Sequence, residues 1–178
     1  MQVTLAVSYP KNILPKKTQN FTTLSMRETK SVFTFDEPIE KLWSGVTVYE
    51  VLVHWLADEV RGRPKVGGDF SWTWKLGLEG DFTTHGIYKK IEPLKELVME
   101  WKDHPADPAG TIYLQLLFES LGSNQSQLTI VNGGFPDGDG SDVWIDGAKE
   151  AWDGQAIHLK DFLKQNPDIT KFFKRLDL

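Results

Sequence analysis

The stretch DFSWTWKL, residues 69–76, alternates without a break. Phe70, Trp72, Trp74 and Leu76 fall on one side, and Asp69, Ser71, Thr73 and Lys75 on the other. A period of two is the pattern of a β-strand with one covered face and one wet face. Three of the four covered positions carry aromatic rings, so whatever packs on this strand must leave a wide space for them to fill. A sheet with such a face needs a second layer over it.

The neighbouring sequence supplies the rest of the sheet and its cover. LEGDF is a turn and TTHGIYKKIEP the return strand; ELVMEWK then alternates Leu97, Met99 and Trp101 against Val98, Glu100 and Lys102. TIYLQLLFE puts Ile112, Leu114, Leu116 and Phe118 in phase, and QLTIVNGGF follows the turn LGSNQS. Short connections make these five strands antiparallel neighbours. Ahead of them, ETKSVFTFD reads as a strand with Phe33 and Phe35 on one face. DEPIEKLWSGV reads as a helix: Asp36 or Glu37 can cap it, Pro38 suits its first position, and Ile39, Leu42, Trp43 and Val46 form an apolar stripe. VYEVLVHWLADE is a second short helix with Val48, Leu52 and Trp55 available for the inside. After residue 140, Trp144, Ala148, Ala151, Trp152, Gln155, Leu159, Phe162 and Leu163 trace the stripe of one long helix. The class is therefore α+β: a curved antiparallel sheet wrapped around a long C-terminal helix, with bulky side chains between them.

The 178 residues suit one domain with appendages: an N-terminal extension, 1–27, with VTLAVSY as a candidate strand; the domain, 28–164; and a tail, 165–178. No run approaches the roughly 18 apolar residues of a membrane span, and the N-terminus lacks a basic leader region. Neither membrane insertion nor secretion is expected. With no cysteine, disulfides and thiolate chemistry are excluded, and a cytoplasmic location is the expectation. A formal charge of −5 argues against nucleic acid as a partner. The basic groups Lys11/Lys16/Lys17 and Lys171/Lys174/Arg175 read as solvated termini.

Motifs for chemistry are sparse. The acidic loop GGFPDGDGSD, 133–142, places Asp137, Asp139 and Ser141 at the first three ligand positions of a calcium loop, but Asp142 at its glycine position and Ala148 at its glutamate position. It reads instead as a turn before a helix that Ser141 or Asp142 caps, with Asp142 and Asp146 near the positive helix end. His54, His85, His104 and His158 show no metal-ligand spacing, so no metal and no cofactor are expected. There is no G-x-S-x-G and no phosphate-cradling loop ahead of a helix.

Five stretches in order nevertheless carry a resemblance: FDEPIEKLWSGVT with VLVHW, VGGDF, HGIYKKIEPLKELVMEW, LTIVNGGFPDGDG and KEAWDGQAIHLKDFL. Together they resemble the activator-of-heat-shock-ATPase-homologue-like branch of the SRPBCC superfamily, the START-like or helix-grip fold. The resemblance implies a hydrophobic cavity between sheet and helix. Relatives of this kind bind lipids, sterols or polyketides, some cyclise or hydroxylate, and some are co-chaperones. The expected occupant is a hydrophobic small molecule. Trp55, Phe70, Trp72, Trp74, Trp101, Phe135, Trp144 and Trp152 are its candidate apolar walls. Thr73, His85, Tyr88, Tyr113 and Gln155 are its candidate polar anchors. Two alternatives stand beside binding: an enzyme using the same cavity with His85 or Tyr113 as proton donor, and a regulatory interaction domain. An uncovered edge strand offers a route to a homodimer, and the ITKFFKRL tail a route to a protein partner.

Overall fold

The computed structural model describes residues 26–104, 110, 112–138 and 140–169. The VTLAVSY stretch and most of the tail lie outside them. Strands β1 (Met26–Phe35), β2 (Glu59–Arg61), β3 (Asp69–Lys75), β4 (Asp81–Glu92), β5 (Glu96–Trp101), β6 (Tyr113–Gly122) and β7 (Gln125–Pro136) form one antiparallel sheet. Its order is β1-β7-β6-β5-β4-β3-β2. Helix α1 (Ile39–Thr47) and the single turn α2 (Tyr49–Leu52) join β1 to β2; α3 (Ser141–Gln165) closes the described chain. This is the α+β helix-grip arrangement, seven curved antiparallel strands with a long C-terminal helix. No helix among the described residues is long and apolar enough to cross a membrane.

Several local expectations are corrected. The second helix shrinks to one turn, because Val48 is extended (φ −85°, ψ 115°) and separates it from α1. Pro38 stands at the N-cap of α1, and neither Asp36 nor Glu37 caps it; Glu37 instead pairs with Lys41 at 2.7 Å. At α3 the N-cap is Gly140, in the left-handed region at φ 87°, which a glycine adopts without strain. Ser141 donates its hydroxyl to the Pro136 carbonyl at 2.6 Å rather than capping, and Asp142 pairs with Arg27 of β1 at 2.6 Å. The three-residue edge strand β2, paired with Ser71 to Thr73, is too short to show a period in the sequence.

The inner face follows the alternation. Leu97, Met99 and Trp101 on β5, Leu114, Leu116 and Phe118 on β6, and Leu128 and Ile130 on β7 are all buried. Trp43 of α1 meets Phe118 edge-on, with ring centroids 4.9 Å apart. Helix α3 runs nearest to β1, β7 and α1. It is held to β1 by the Arg27–Asp142 pair and by Ser31 donating to Asp153 at 2.5 Å, while Lys149 pairs with Asp153 at 2.5 Å. The buried stripe of α3 is Ile145, Ala148, Ala156, Leu159 and Leu163. Trp144 and Trp152, expected to lie in that stripe, are half-buried beside it. At the crossing with α1, a Cβ on Gly45 would come within 2.9 Å of Leu163 Cδ2, so glycine there lets the two helices close up.

Two glycines inside the sheet do similar work on opposite faces. On the inner face, Gly86 of β4 pairs with Phe70 and Trp101, and the Phe70 ring lies over it. A Cβ there would meet Phe70 Cζ at 2.3 Å and the Glu100 carbonyl at 2.5 Å. On the outer face, Gly133 of β7 pairs with Tyr113, whose phenol covers it; a Cβ would meet the Tyr113 hydroxyl at 2.5 Å. Backbone cannot give way as a phenol tip can. Gly86→Ala is therefore expected to lower stability by about 3 kcal/mol and Gly133→Ala by about 1 kcal/mol, measured by urea denaturation; equal costs would refute the difference. Tyr88, buried on the same inner face, provides a second test. Burial pushes its phenol pKa above the ordinary value near 10. A raised folded-state pKa means that its contribution is intact below pH 10 and is lost as pH rises beyond it. Tyrosinate absorbance during an alkaline titration is expected to show a group missing until the chain unfolds, and Tyr88→Phe is expected to remove that late component.

Candidate functional site

Where β3, β4, β5 and α3 face one another, six of the sequence-derived candidates form one network of rings. Phe70 lies 4.9 Å from Trp72, 5.2 Å from Tyr88 and 5.4 Å from Trp101, centroid to centroid. Trp72 in turn lies 5.4 Å from Trp101, 6.4 Å from Trp74 and 6.3 Å from Trp152. These separations and the mostly tilted or perpendicular rings are those of favourable aromatic pairs. The strand residues are neighbours through register and alternation: Phe70 pairs across to Gly86, and Gly86 across to Trp101. Trp152 reaches them from α3.

The sheet and helix also bring polar groups to this region. Trp74 donates its indole N–H to the Leu56 carbonyl at 2.7 Å, and Gln155 donates Nε2 to the same carbonyl at 3.4 Å. Because a carbonyl only accepts, Gln155 must turn its NH₂ toward Leu56, which leaves Oε1 facing elsewhere. That Oε1 is buried and without a hydrogen-bond partner among the described residues, as is the indole Nε1 of Trp72. Trp152 donates Nε1 to Asn132 Oδ1 at 3.3 Å, while Asn132 donates Nδ2 to the Tyr113 carbonyl at 2.7 Å. Asn132 was not picked out in the sequence, since nothing in LTIVNGGF marks one polar strand residue as inward. The third buried unpartnered group, Trp43 Nε1, sits under α1 against Phe118, away from this network.

The remaining candidates separate. Phe135 joins Trp144 through His104, whose ring lies 5.9 Å from Phe135 and 5.7 Å from Trp144. His104 shows no metal-ligand spacing in the sequence, and only its ring contacts with Phe135 and Trp144 mark its place here. Trp55 is half-buried and donates to the Gly45 carbonyl at 2.8 Å, tying the α2 turn to α1. Three expected anchors point the other way. His85 is exposed on the outer face, with Nδ1 2.6 Å from Asp103 Oδ2, while Asp103 Oδ1 accepts from the His85 backbone N–H at 2.9 Å. Thr73 shares a hydrogen bond with Thr83 at 2.8 Å on that same face. Tyr113 donates to Glu28 Oε2 at 3.2 Å; partial burial, and then the Glu28 carboxylate, raise its phenol pKa. The reason is parity. Thr84, Gly86 and Tyr88 take the inner positions of β4 and Leu114 and Leu116 those of β6, so His85 and Tyr113 must face outward. The proton donors that an enzyme reading would use are on the wrong side of the sheet from the aromatic interior.

A separate recess of about 530 Å³ lies at the C-terminal end of α3, lined by Glu50, Val51, His54, Phe162, Asp168 and Ile169 among others. His54 stacks on Phe162 there at 5.8 Å. None of the six-ring network lines it. Among the described residues no group of three or more histidine or carboxylate side chains is placed to hold a metal ion.

Comparison with known proteins agrees with this architecture. Protein NE0264 of Nitrosomonas europaea superposes with a TM-score of 0.66 at 20% identity, over 79% of this chain and 96% of that one. PFC0360w, an HSP90 activator from Plasmodium falciparum, gives 0.62 at 18% identity, over 77% and 96%. The di-domain ARO/CYC BexL from the BE-7585A biosynthetic pathway gives 0.68 at 11% identity, over 80% of this chain and 48% of that one. At these identities the likeness is one of fold. No curated protein sequence matches. The model of one sequence family does, over residues 36–164, which is most of the chain. The protein belongs to the Activator of Hsp90 ATPase homolog 1-like family.

Proposed function

We propose that the protein binds a small hydrophobic or amphipathic molecule between α3 and strands β3 to β5. One observation carries the reading. The backbone of α3 runs nearest to β1 and β7, while towards β3 it extends Trp152, whose ring meets that of Trp72 edge-on with centroids 6.3 Å apart. Trp152 on the helix and Trp74 on the sheet are only half-buried. A gap spanned by side chains can reopen by rotamer changes, whereas one closed by backbone packing cannot. A guest would exchange ring–ring contact for ring–guest contact and bury its own apolar surface, at roughly 25 cal/mol per Å². The likeness of fold to a protein of a biosynthetic pathway supports a role with small molecules.

Binding without chemistry is the reading because of what faces the rings. The polar groups there are amides, indole N–H groups and the Thr84 hydroxyl, which neither take up nor release protons near neutral pH. Thr84 donates to the Asp103 carboxylate, which also pairs with His85 on the outer face. The ionisable member of the network, Tyr88, is made a weaker acid by its burial. A second reading, a protein partner, is supported by the family's description and by the fold shared with an HSP90 activator. Co-sedimentation with an Hsp90-class ATPase would show a complex on that reading and none on the first.

The test of the first reading is a thermal-shift and native mass-spectrometry panel containing a sterol, a monoacylglycerol and a polycyclic aromatic. At least one member is expected to raise the melting temperature saturably, corresponding to about 2.7 kcal/mol at a hundred times its Kd. Trp152→Ala is expected to change that affinity several-fold while Trp55→Phe leaves it alone. A panel with no saturable stabilisation would overturn the proposal.

A further inference from the structure

Two buried atoms at this site have complementary hydrogen-bonding needs, and we propose that they select an uncharged guest carrying a hydroxyl group. The inference rests on the binding reading above and specifies the ligand's chemistry. Trp72 is 3% exposed, and its indole Nε1 can only donate. Gln155 Oε1 can only accept, and its direction is fixed because the NH₂ of the same amide is turned to the Leu56 carbonyl. Both atoms are buried and neither has a partner among the described residues.

They belong to one neighbourhood. Trp152, one helical turn before Gln155 and on the same side of α3, touches Trp72. Trp74, next to Trp72 on the inner face of β3, shares the Leu56 carbonyl with Gln155. A donor on the sheet and an acceptor on the helix are thereby brought into one neighbourhood of rings. A buried polar group left unpaired is costly, and a guest that pairs both recovers that cost on binding.

A hydroxyl is the smallest group that accepts from an indole N–H and donates to an amide oxygen. Charged guests fit poorly. A carboxylate could accept from Trp72 but would oppose the lone pairs of Gln155 Oε1, and an ammonium would do the reverse. The walls around Trp72 are the rings of Phe70, Trp74, Trp101 and Trp152, which offer no counter-charge. The ion pair on this stretch of α3, Lys149–Asp153, is closed on itself and on Ser31 of β1. A charge brought in among the rings would lose its water without compensation.

Isothermal titration at neutral pH with 2-naphthol, naphthalene and 2-naphthoate tests the inference on the full chain. Naphthol is expected to bind on the order of ten-fold more tightly than naphthalene, and naphthoate more weakly than either. In Trp72→Phe and in Gln155→Leu the naphthol-to-naphthalene ratio is expected to fall towards one. If Trp72→Phe does not fold by circular dichroism, Gln155→Leu, at a half-buried position, carries the comparison. Equal binding of naphthol and naphthalene to the unaltered chain, a ratio that survives in Gln155→Leu, or tight binding of naphthoate would each overturn the hydroxyl rule and leave the binding reading standing. Failure of all three probes, together with the wider panel, would remove both.

Discussion

A curved sheet of seven strands encloses more width than one helix can fill. Helix α3 settles this by lying close to β1 and β7, where Ala148 and Ala156 are among its buried residues and Gly45 lets α1 close against its Leu163. Having gone to one side, it stands away from β3 to β5. That interval has to be filled, because an empty gap forfeits dispersion contacts along its whole lining. Phe70, Trp72, Trp101 and Trp152 fill it. The clustering of Trp72, Trp74, Trp101 and Trp152 and the placement of Gly86 under Phe70 belong to that one region.

Most of the architecture was readable because it rests on period. The alternation of DFSWTWKL and ELVMEW survives in the structure as buried and less buried residues, and the two strands meet through β4 as short turns require. Reading failed where the decisive quantity was parity or tertiary approach. His85 sits in a strand whose limits can be read, but TTHGIYKK has no unbroken apolar series to say which residues face inward. Tyr113 differs: it is out of phase with Ile112, Leu114 and Leu116, so the period itself places it on the outer face, where it covers Gly133. On α3, Trp144 and Trp152 carried the apparent stripe, whereas the buried line runs through Ile145, Ala148 and Ala156. Small residues are buried where helix and sheet touch, and large ones reach sideways where they do not.

The polar side of the interior was almost invisible in the sequence. Leu56 is unremarkable as a residue type, but its carbonyl accepts from Trp74 and Gln155 and so couples the α2 region, β3 and α3. Asn132 links Trp152 to the backbone of β6 in the same manner. Each link depends on atoms separated widely in the chain, and no local pattern encodes it. Their common effect is to hold indoles by the N–H while the ring faces remain in apolar contact. Trp72 lacks that restraint, and it is the indole at the centre of the network.

This arrangement divides stability from recognition unevenly. Trp72 is both a core ring and a candidate donor, so any change to it removes packing along with the hydrogen-bonding group. Gln155 is half-buried, holds α3 to Leu56 through one end of its amide, and presents the other end to the interval. Selectivity for a guest can therefore be altered from the helix at modest cost to the fold, while the sheet side is constrained by the core it belongs to. A family that keeps one fold while changing its ligands would be expected to vary the helix residues first, because only there does the chemistry of the guest come apart from the packing of the protein.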